Sequence, residues 1–137
     1  MTGFIHAQIK NPTRSLKLVN KLAATVTTMH EILAKDTGGV VIPATSSTVR
    51  SEIVGICNQD IAAAEVLTQV PVIEIFGNDT FVVDVTNNSD VAHDGQRMVL
   101  TDSLTVNNTG TDDVDGVIEQ VEPYGLPTEK KILCKFV

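Results

Sequence analysis

The sequence predicts an all-β fold, a compact antiparallel β-barrel or β-sandwich with an N-terminal arm or short helix. Eight or nine short runs rich in Val, Ile and Thr recur at near-regular spacing, which is typical of barrels and sandwiches. Clusters of Gly, Asn and Asp separate these runs and supply turns. The 137 residues, 42% of them hydrophobic, suffice for the core of one domain.

The N-terminal segment differs from the rest, and we divide the chain into a basic arm, residues 1–22, and a β body, residues 23–137. A short helix is one interpretation of the arm, with Asn11 as its cap and Pro12 in its first position. Such a helix would place Leu16, Val19 and Leu22 on one face. An extended arm is the alternative, because one short helix is marginal without a partner surface. In both cases we expect the body to fold without the arm.

The first strands of the body are predicted from turn chemistry. The run "DTGG" at 36–39 predicts a turn between two strands, and Pro43 indicates that the second strand lies at an edge. The run "EIVGIC" predicts a buried strand. The stretch "QDIAAAEVLTQ" fits a helical turn or a loop with a short strand equally well.

The most distinct local pattern is "VPVIEIF", then "GND", then "TFVVDVT", which predicts a β-hairpin with its turn at 77–79. The runs "QRMVLTD", "SLTVNN", "DGVIEQVE" and "KKILCKFV" supply the remaining strands. Apolar residues on both faces of several runs indicate two covered faces. The residues expected in the core or in a subunit interface are Val72, Ile73, Ile75, Phe81, Val83, Val85, Ile132 and Phe136.

Charge is distributed unevenly along the chain. Residues 1–30 carry +4 and no acid, whereas residues 31–137 carry −11, which together give the net charge of −7. The acidic body and the lack of Trp argue against a nucleic-acid partner. We expect the basic residues to contact an acidic protein surface or a neighbouring copy. These candidate contact residues are Lys10, Arg14, Lys17 and Lys21.

The stretch from Thr111 to Glu122 approaches the pattern of an EF-hand calcium loop. Asp113, Asp115 and Gly116 take the required places, but Thr111 stands where the first carboxylate belongs. The flanking sequence is rich in turn and β-branched residues, whereas an EF-hand needs a helix on each side. We therefore predict a turn that leads into a β-strand, with no metal ion that the fold requires.

Residue patterns for catalysis are sparse. The loop containing Asp90, His93 and Asp94 is interpreted as an exposed polar loop, with a metal site as the less favoured alternative. Cys57 and Cys134 lie in apolar strand-like runs and are expected to be buried free thiols. The sequence thus contains no recognisable catalytic motif and predicts no cofactor and no metal. An enzyme whose site is assembled only in three dimensions stays an alternative.

The chain has no apolar run near the ~18 residues that a membrane-spanning helix needs. Its first residues lack the order of charged and then apolar residues found in a signal peptide. We expect no membrane partner and a product that stays in the cytoplasm where it is made.

The order of phrases along the body resembles the small head decoration, or cement, proteins of tailed bacteriophages. The phrases are "SSTVRSEIVGICNQDIAAAE", "VPVIEIFGNDTFVVDVT", "AHDGQRMVLTDSLTVNNTG" and "DGVIEQVEPYGLPTEKKILCKFV", within residues 30–137. The resemblance implies a tulip-like barrel that binds the exterior of an assembled capsid and holds major capsid subunits together. It further implies a homotrimer located on the virion, made in the host cytoplasm, and no catalysis.

A second class of function stays open. A small β-domain of a phage tail or receptor-binding apparatus would bind a ligand or glycan. Sugar sites usually present exposed Trp or Tyr, whereas this chain has no Trp and one Tyr.

Overall fold

The computed structural model describes residues 2–8, 16–77, 79–110 and 112–137, and these residues form a compact, nearly all-β fold. The predicted fold class is confirmed, since the helical elements among the described residues are three 3₁₀ turns of three residues each. The strands are β1 (Ile5–Gln8), β2 (Leu16–Asn20), β3 (Ile32–Lys35), β4 (Val41–Pro43), β5 (Ile53–Cys57), β6 (Gln69–Ile73), β7 (Thr80–Val85), β8 (Arg97–Met98), β9 (Leu100–Asp102), β10 (Thr105–Val106), β11 (Ile118–Pro123) and β12 (Lys131–Phe136).

A seven-stranded, nearly closed sheet is built around β7, in the order β8-β11-β12-β7-β10-β9. β12 pairs antiparallel with one edge of β7. The other edge pairs with β1 along its first half and with β10, in parallel, at its end. The side chains of Phe81, Val83 and Val85 alternate along β7 and are buried on its inner face, within the main core cluster.

A five-stranded antiparallel sheet has the order β2-β6-β5-β3-β4. The predicted turn at 36–39 joins β3 to β4. The Asp36 carboxylate accepts hydrogen bonds from the backbone N–H groups of Gly38, at 2.8 Å, and Val40, at 3.3 Å. Gly39 has φ of 82°, a conformation that favours glycine. β4 ends at Pro43 and lies at the end of the sheet, as predicted.

Both faces of the five-stranded sheet are covered. Ile32 and Ala34 of β3 pack into a cluster shared with the seven-stranded sheet, whereas Leu33 between them packs into a second cluster on the opposite face. This alternation follows from the two-residue period of a strand. Of the predicted core, six residues are buried and Ile75 packs half-buried against the first cluster, while Ile73 is also half-buried. The six buried residues are Val72, Phe81, Val83, Val85, Ile132 and Phe136.

The predicted hairpin between "VPVIEIF" and "TFVVDVT" is wrong. A turn does form between the runs, where the Asp79 N–H donates to the Phe76 carbonyl at 3.2 Å. However, β6 pairs with β2 and β5, whereas β7 belongs to the other sheet. β6 buries Val70 and Val72 in the second cluster, whereas β7 buries its apolar side chains in the first, and local turn chemistry does not specify that choice.

The division into an arm and a body that folds without it stays a prediction, and the described residues of the arm pack against the body. Phe4 is 1% exposed within the main core, and β1 pairs with β7. A Cβ atom at Gly3 would lie 2.6 Å from the His30 carbonyl oxygen, so the chain start packs closely on the segment before β3. The segment from Leu16 is a strand rather than a helix, and it pairs with β6 over five residues. Asn11 and Pro12 lie outside the described residues.

Candidate interaction surface

The edge strand β2 is the most exposed apolar element of the fold. Within the described residues, its outer edge pairs with no other strand. The strands that end the sheet paths elsewhere have two or three residues, and β4 is further protected by Pro43. β2 has five residues, and its Leu16 and Leu18 are 53% and 62% exposed. Such an edge is a ready surface for another protein chain.

The exposed apolar surface extends beyond β2. Lys21 N–H donates to the Thr68 carbonyl at 2.9 Å, which aligns the segment after β2 with the segment before β6. Six of the twelve exposed large hydrophobic residues described belong to β2 and these two segments. We call them the β2 patch: Leu16, Leu18, Leu22, Val26, Val66 and Leu67. Clustering of exposed apolar side chains marks an interaction site more specifically than single exposed residues do.

The four predicted contact residues are three lysines and one arginine, and the structure places them differently. Lys17 is exposed on β2 and pairs with Val72 of β6, so it projects from the face of the strand opposite to Leu16 and Leu18. Lys21 is 2% exposed, and its ammonium donates to three backbone carbonyls, those of Leu22, Ala23 and Thr25, at 3.0, 3.3 and 3.0 Å. Lys21 therefore holds a loop rather than presenting its charge to a partner. Lys10 and Arg14 lie outside the described residues.

The leucines of the patch were missed as site residues. One interpretation of the sequence, a short helix, places Leu16 and Leu22 on one face with Val19, and the alternative is an extended arm. The alternation of Leu16 and Leu18 with Lys17 and Val19 is the period-two pattern that indicates an edge strand. Val19 is half-buried against the second core cluster, so the two faces of β2 differ as this alternation requires.

A second apolar surface lies on the outer face of the seven-stranded sheet. Ile5, Val82 and Leu133 stand opposite one another on β1, β7 and β12. With the half-exposed Tyr124 they line an open groove of about 730 Å³, which we call the outer groove. Its charged flanks are neutralised by ion pairs, Lys131 with Asp84 and Lys135 with Glu119.

A smaller groove of about 410 Å³ lies between β2 and the β3–β4 hairpin. Lys17, Lys35 and Glu52 surround it, and Val41 and Val54 contribute its apolar lining. No aromatic ring is among the described residues that line it. The groove therefore lacks the stacking surface that sugar sites usually present.

The acidic stretch before β11 forms a turn and a strand, as predicted. The Asp113 carboxylate accepts from the Asp115 N–H at 2.9 Å, and the Gly116 N–H donates to the Asp113 carbonyl at 2.9 Å. Glu122 lies further along, on β11. Thr111 is outside the described residues. Asp113 thus stabilises the turn itself, which is the ordinary role of Asp in such loops.

The loop with Asp90, His93 and Asp94 is fastened to β11. The buried Gln120 side chain donates to the Asp90 carbonyl and to the Asp94 carboxylate, both at 2.8 Å. Asp90 in turn accepts from the Ala92 N–H at 2.9 Å and caps a 3₁₀ turn. The part of the chain that the structure describes contains no group of three or more His, Cys, Asp or Glu arranged to hold a metal ion.

Cys57 and Cys134 are buried free thiols, as predicted. Burial raises the pKa of both thiols. The Cys57 thiol donates to the Gln59 carbonyl at 3.1 Å. Because the thiolate is the nucleophilic form, both side chains are kept in their unreactive state.

Glu31 is a buried carboxyl that connects the two sheets. It is 3% exposed and accepts from the Thr28 N–H at 2.7 Å and from the Ser103 hydroxyl at 2.8 Å. Burial raises the pKa of Glu31, and the nearby Asp60 and Asp102 raise it further, whereas its two hydrogen bonds act in the opposite direction. A raised pKa in the folded state means that folding favours the protonated carboxyl.

We expect Glu31→Gln to stabilise the protein increasingly as pH rises above the ordinary Glu value of 4.5. Below that value the carboxyl is protonated in both folded and unfolded states, so burial has no ionisation to oppose. Wild-type stability is lost as pH rises through the raised pKa, while the amide stays neutral and can still bond to Thr28 and Ser103. Melting temperatures of both proteins from pH 4 to pH 8 measure the difference.

Glu65→Gln is the matched control for this experiment. The exposed Glu65 carboxylate makes the same kind of bond, accepting from the Ala62 N–H at 2.9 Å. Its substitution should not produce a stabilisation that grows with pH. If the melting temperatures of Glu31→Gln and wild type change in parallel with pH, ionisation of the buried Glu31 carboxyl does not destabilise the fold.

The geometry described above stands without a match to known proteins. No protein-family model, no curated protein and no solved structure matches this chain. Among the described residues, the structure contains no helix with the length and apolar character needed to cross a membrane.

Proposed function

We propose that this protein is a structural virion protein that binds the outer surface of an assembled phage capsid and stabilises contacts between major capsid subunits. The observation that carries the proposal is the β2 patch. A compact β fold that exposes apolar side chains on a five-residue edge strand and on the segments beside it is suited to binding a large protein surface. The resemblance of its phrases to phage head decoration proteins supplies the identity of that surface.

The proposal assigns two kinds of partner, the major capsid protein and further copies of this chain, as in a homotrimer. Lys10 and Arg14 are proposed to contact the capsid, because they belong to the acid-free segment of an acidic chain. Both stand in the chain between β1 and β2, the strands that anchor this segment to the two sheets.

Co-sedimentation with expanded, undecorated capsids tests the function. The capsids are assembled from the major capsid protein encoded in the same genome. We expect binding of full-length protein in fixed stoichiometry, with an affinity that falls as salt rises. Salt screens attraction between exposed charges, and charges farther apart than about 8–10 Å are already largely screened at physiological ionic strength. Lys10→Glu and Arg14→Glu should each weaken binding.

Lys35→Glu is the matched control, since Lys35 is exposed and has the same charge but belongs to the body. An equal loss of binding with Lys35→Glu would show that net charge alone, rather than the N-terminal segment, controls attachment. Absence of wild-type binding to capsids would contradict the proposal. Binding to host cells or glycans instead would favour the tail or receptor-binding alternative.

A further inference from the structure

We propose that the outer edge of β2 binds an extended segment of a partner protein as an added β-strand, and that this segment alternates apolar and acidic residues. The inference deepens the proposed function, on which it rests only for the capsid as the source of the segment. A strand bound in this way takes its affinity from backbone hydrogen bonds and its specificity from alternate side chains. Both parts follow from the register of β2 on β6.

The backbone of β2 presents hydrogen-bonding groups at its outer edge on alternate residues. Pro71 of β6 stands opposite Leu18 and has no N–H group, and its carbonyl accepts from the Asn58 N–H at 3.0 Å, on the side of β5. Pro71 therefore exchanges no hydrogen bonds with Leu18, and the N–H and C=O groups of Leu18 point away from β6. The alternation of an antiparallel ladder places the corresponding groups of Leu16 and Asn20 on the same outer side.

The residue after β2 follows the same alternation. Lys21, three residues after Leu18, donates its N–H to the Thr68 carbonyl at 2.9 Å and so faces the side of β6. The three outward residues of β2 carry one N–H and one C=O group each, and no hydrogen bond from the described part of the chain reaches these groups. An extended chain matches donors and acceptors that recur every second residue, so the edge itself specifies a strand as its occupant.

The edge of β2 has little of the protection that edge strands usually carry. Its five pairs with β6 run without a register shift, whereas the pairing of β3 with β5 and that of β11 with β12 are each interrupted by one. The strand contains no proline, and Lys17 is its one charged residue. Bulges, prolines and several charges are the features that keep other strands away from an edge. The outer side of β2 is therefore regular over its full length.

The two faces of β2 determine which side chains the added strand must carry. The leucines of β2 share a face with Pro71 and Ile73 of β6, which stand opposite them and are half-buried. Side chains on the same face of neighbouring strands are the pairs that stabilise a sheet. Apolar residues of the added strand on this face would therefore cover Leu16 and Leu18 and extend the apolar surface across three strands.

Lys17 selects an acidic residue on the opposite face. Neither β2 nor the five residues of β6 that pair with it include an acid, so Lys17 is the only charged side chain of the two strands. Within the described residues it forms no ion pair. An opposite charge across a ladder stabilises the pair, whereas a like charge destabilises it. The same rule disfavours a second copy in this place, because its β2 would bring another lysine and no acid.

An NMR titration of the full-length protein with a synthetic peptide, in capsid-free buffer, tests the proposal. The blocked peptide is a strand in which valines alternate with two glutamates and two terminal threonines. At saturation we expect the amide protons of Leu16, Leu18 and Asn20 to move downfield, because their N–H groups acquire acceptors. The amide protons of Lys17 and Val19, which already face β6, should move much less and serve as controls within the same strand.

N-methylated forms of the peptide test the backbone contact separately from the side chains. Methyl groups on the valine nitrogens and methyl groups on the glutamate nitrogens block opposite edges of the same strand. We expect one of these two peptides to lose binding and the other to keep it, since only one edge of the peptide faces β2.

A charge exchange tests the acidic position. Lys17→Glu should raise the dissociation constant of the glutamate peptide at least tenfold and should bind more tightly a peptide with lysines in place of the glutamates. Lys130→Glu is the matched control, because Lys130 is an exposed lysine that precedes β12 of the other sheet. Unchanged circular dichroism and melting temperature would show that both variants fold.

The proposal is overturned if the amide shifts fall equally on both alternating sets, if the two N-methylated peptides bind equally well, or if the wild type binds the lysine peptide as tightly as the glutamate peptide. Wild-type protein that dimerises through the same alternate amides without peptide would assign the edge to a second copy, and this too would overturn it. Peptide binding without capsid binding would contradict the proposed function alone. Capsid binding by a protein that does not bind the peptide would contradict this inference alone.

Discussion

Replacing Phe4 with alanine is expected to lower the free energy of unfolding by about 3–5 kcal/mol, the usual cost of truncating a buried phenylalanine. Phe4 is 1% exposed, and its ring packs against two of the other three phenylalanines of the chain. Its ring centroid lies 5.4 Å from that of Phe136 and 6.4 Å from that of Phe81. The rings of Phe81 on β7 and Phe136 on β12 also meet edge to face at 5.3 Å. The substitution would therefore leave a cavity beside these two rings.

The substitution should also affect the strand that carries Phe4 to the core. Its N–H donates to the His30 carbonyl at 2.9 Å, so the residue fastens the chain start to the segment before β3. Loss of its side chain should therefore loosen β1 as well as the aromatic cluster. Urea denaturation followed by circular dichroism measures the change in unfolding free energy.

Val114→Ala is the control for Phe4→Ala. Val114 is 80% exposed, and its substitution should change stability by less than about 0.5 kcal/mol. A Phe4→Ala protein as stable as this control would mean that the first residues contribute little to the fold. That result would support the prediction that residues 23–137 fold without the arm.

Features specified by short stretches of sequence were predictable. The β3–β4 hairpin follows from Asp36 and Gly39, because the carboxylate and the permitted φ build the turn from within four residues. The strand after Gly116 follows in the same way, since Asp113 closes the turn before it. In both cases the partners that stabilise the element are neighbours in the chain.

Features that depend on distant partners were not predictable from one sequence. β7 pairs with β1, β10 and β12, and nothing near β7 identifies those partners. The expected hairpin of β6 with β7 failed for this reason. Residues 16–20 fitted an amphipathic helix because Leu16 and Val19 are three apart, but pairing with β6 overrides that weak preference.

The candidate surface shows the same limit. The basic character of the N-terminal segment was apparent from composition, yet Lys17 and Lys21 have opposite environments. Lys21 is buried because the loop after β2 folds its carbonyls around the ammonium. Charge alone cannot distinguish a lysine that holds a loop from one that faces a partner.

Replacing Lys21 with methionine is expected to lower the free energy of unfolding by about 3 kcal/mol. Methionine keeps the apolar stem but removes the charged donor, and hydrogen bonds to charged groups contribute about 1.5–3 kcal/mol each before the cost of burying the charge is subtracted. The carbonyls of Leu22, Ala23 and Thr25 would all lose this donor. The loop then has to find water or rearrange.

The effect of Lys21→Met should be concentrated next to the loop. The Thr27 N–H donates to the Ile61 carbonyl at 3.0 Å and joins the loop to the segment before β6. Native-state hydrogen exchange should therefore quicken most at Thr27 and Ile61, while amides of β7 should follow only the global loss of stability. Lys17→Met is the control, because Lys17 is exposed on β2, four residues before Lys21, and its substitution should leave stability within about 0.5 kcal/mol. Equal stabilities for the two variants would show that the three carbonyls are as well satisfied by water as by the ammonium, and Lys21 would return to the set of residues available for contact with a partner.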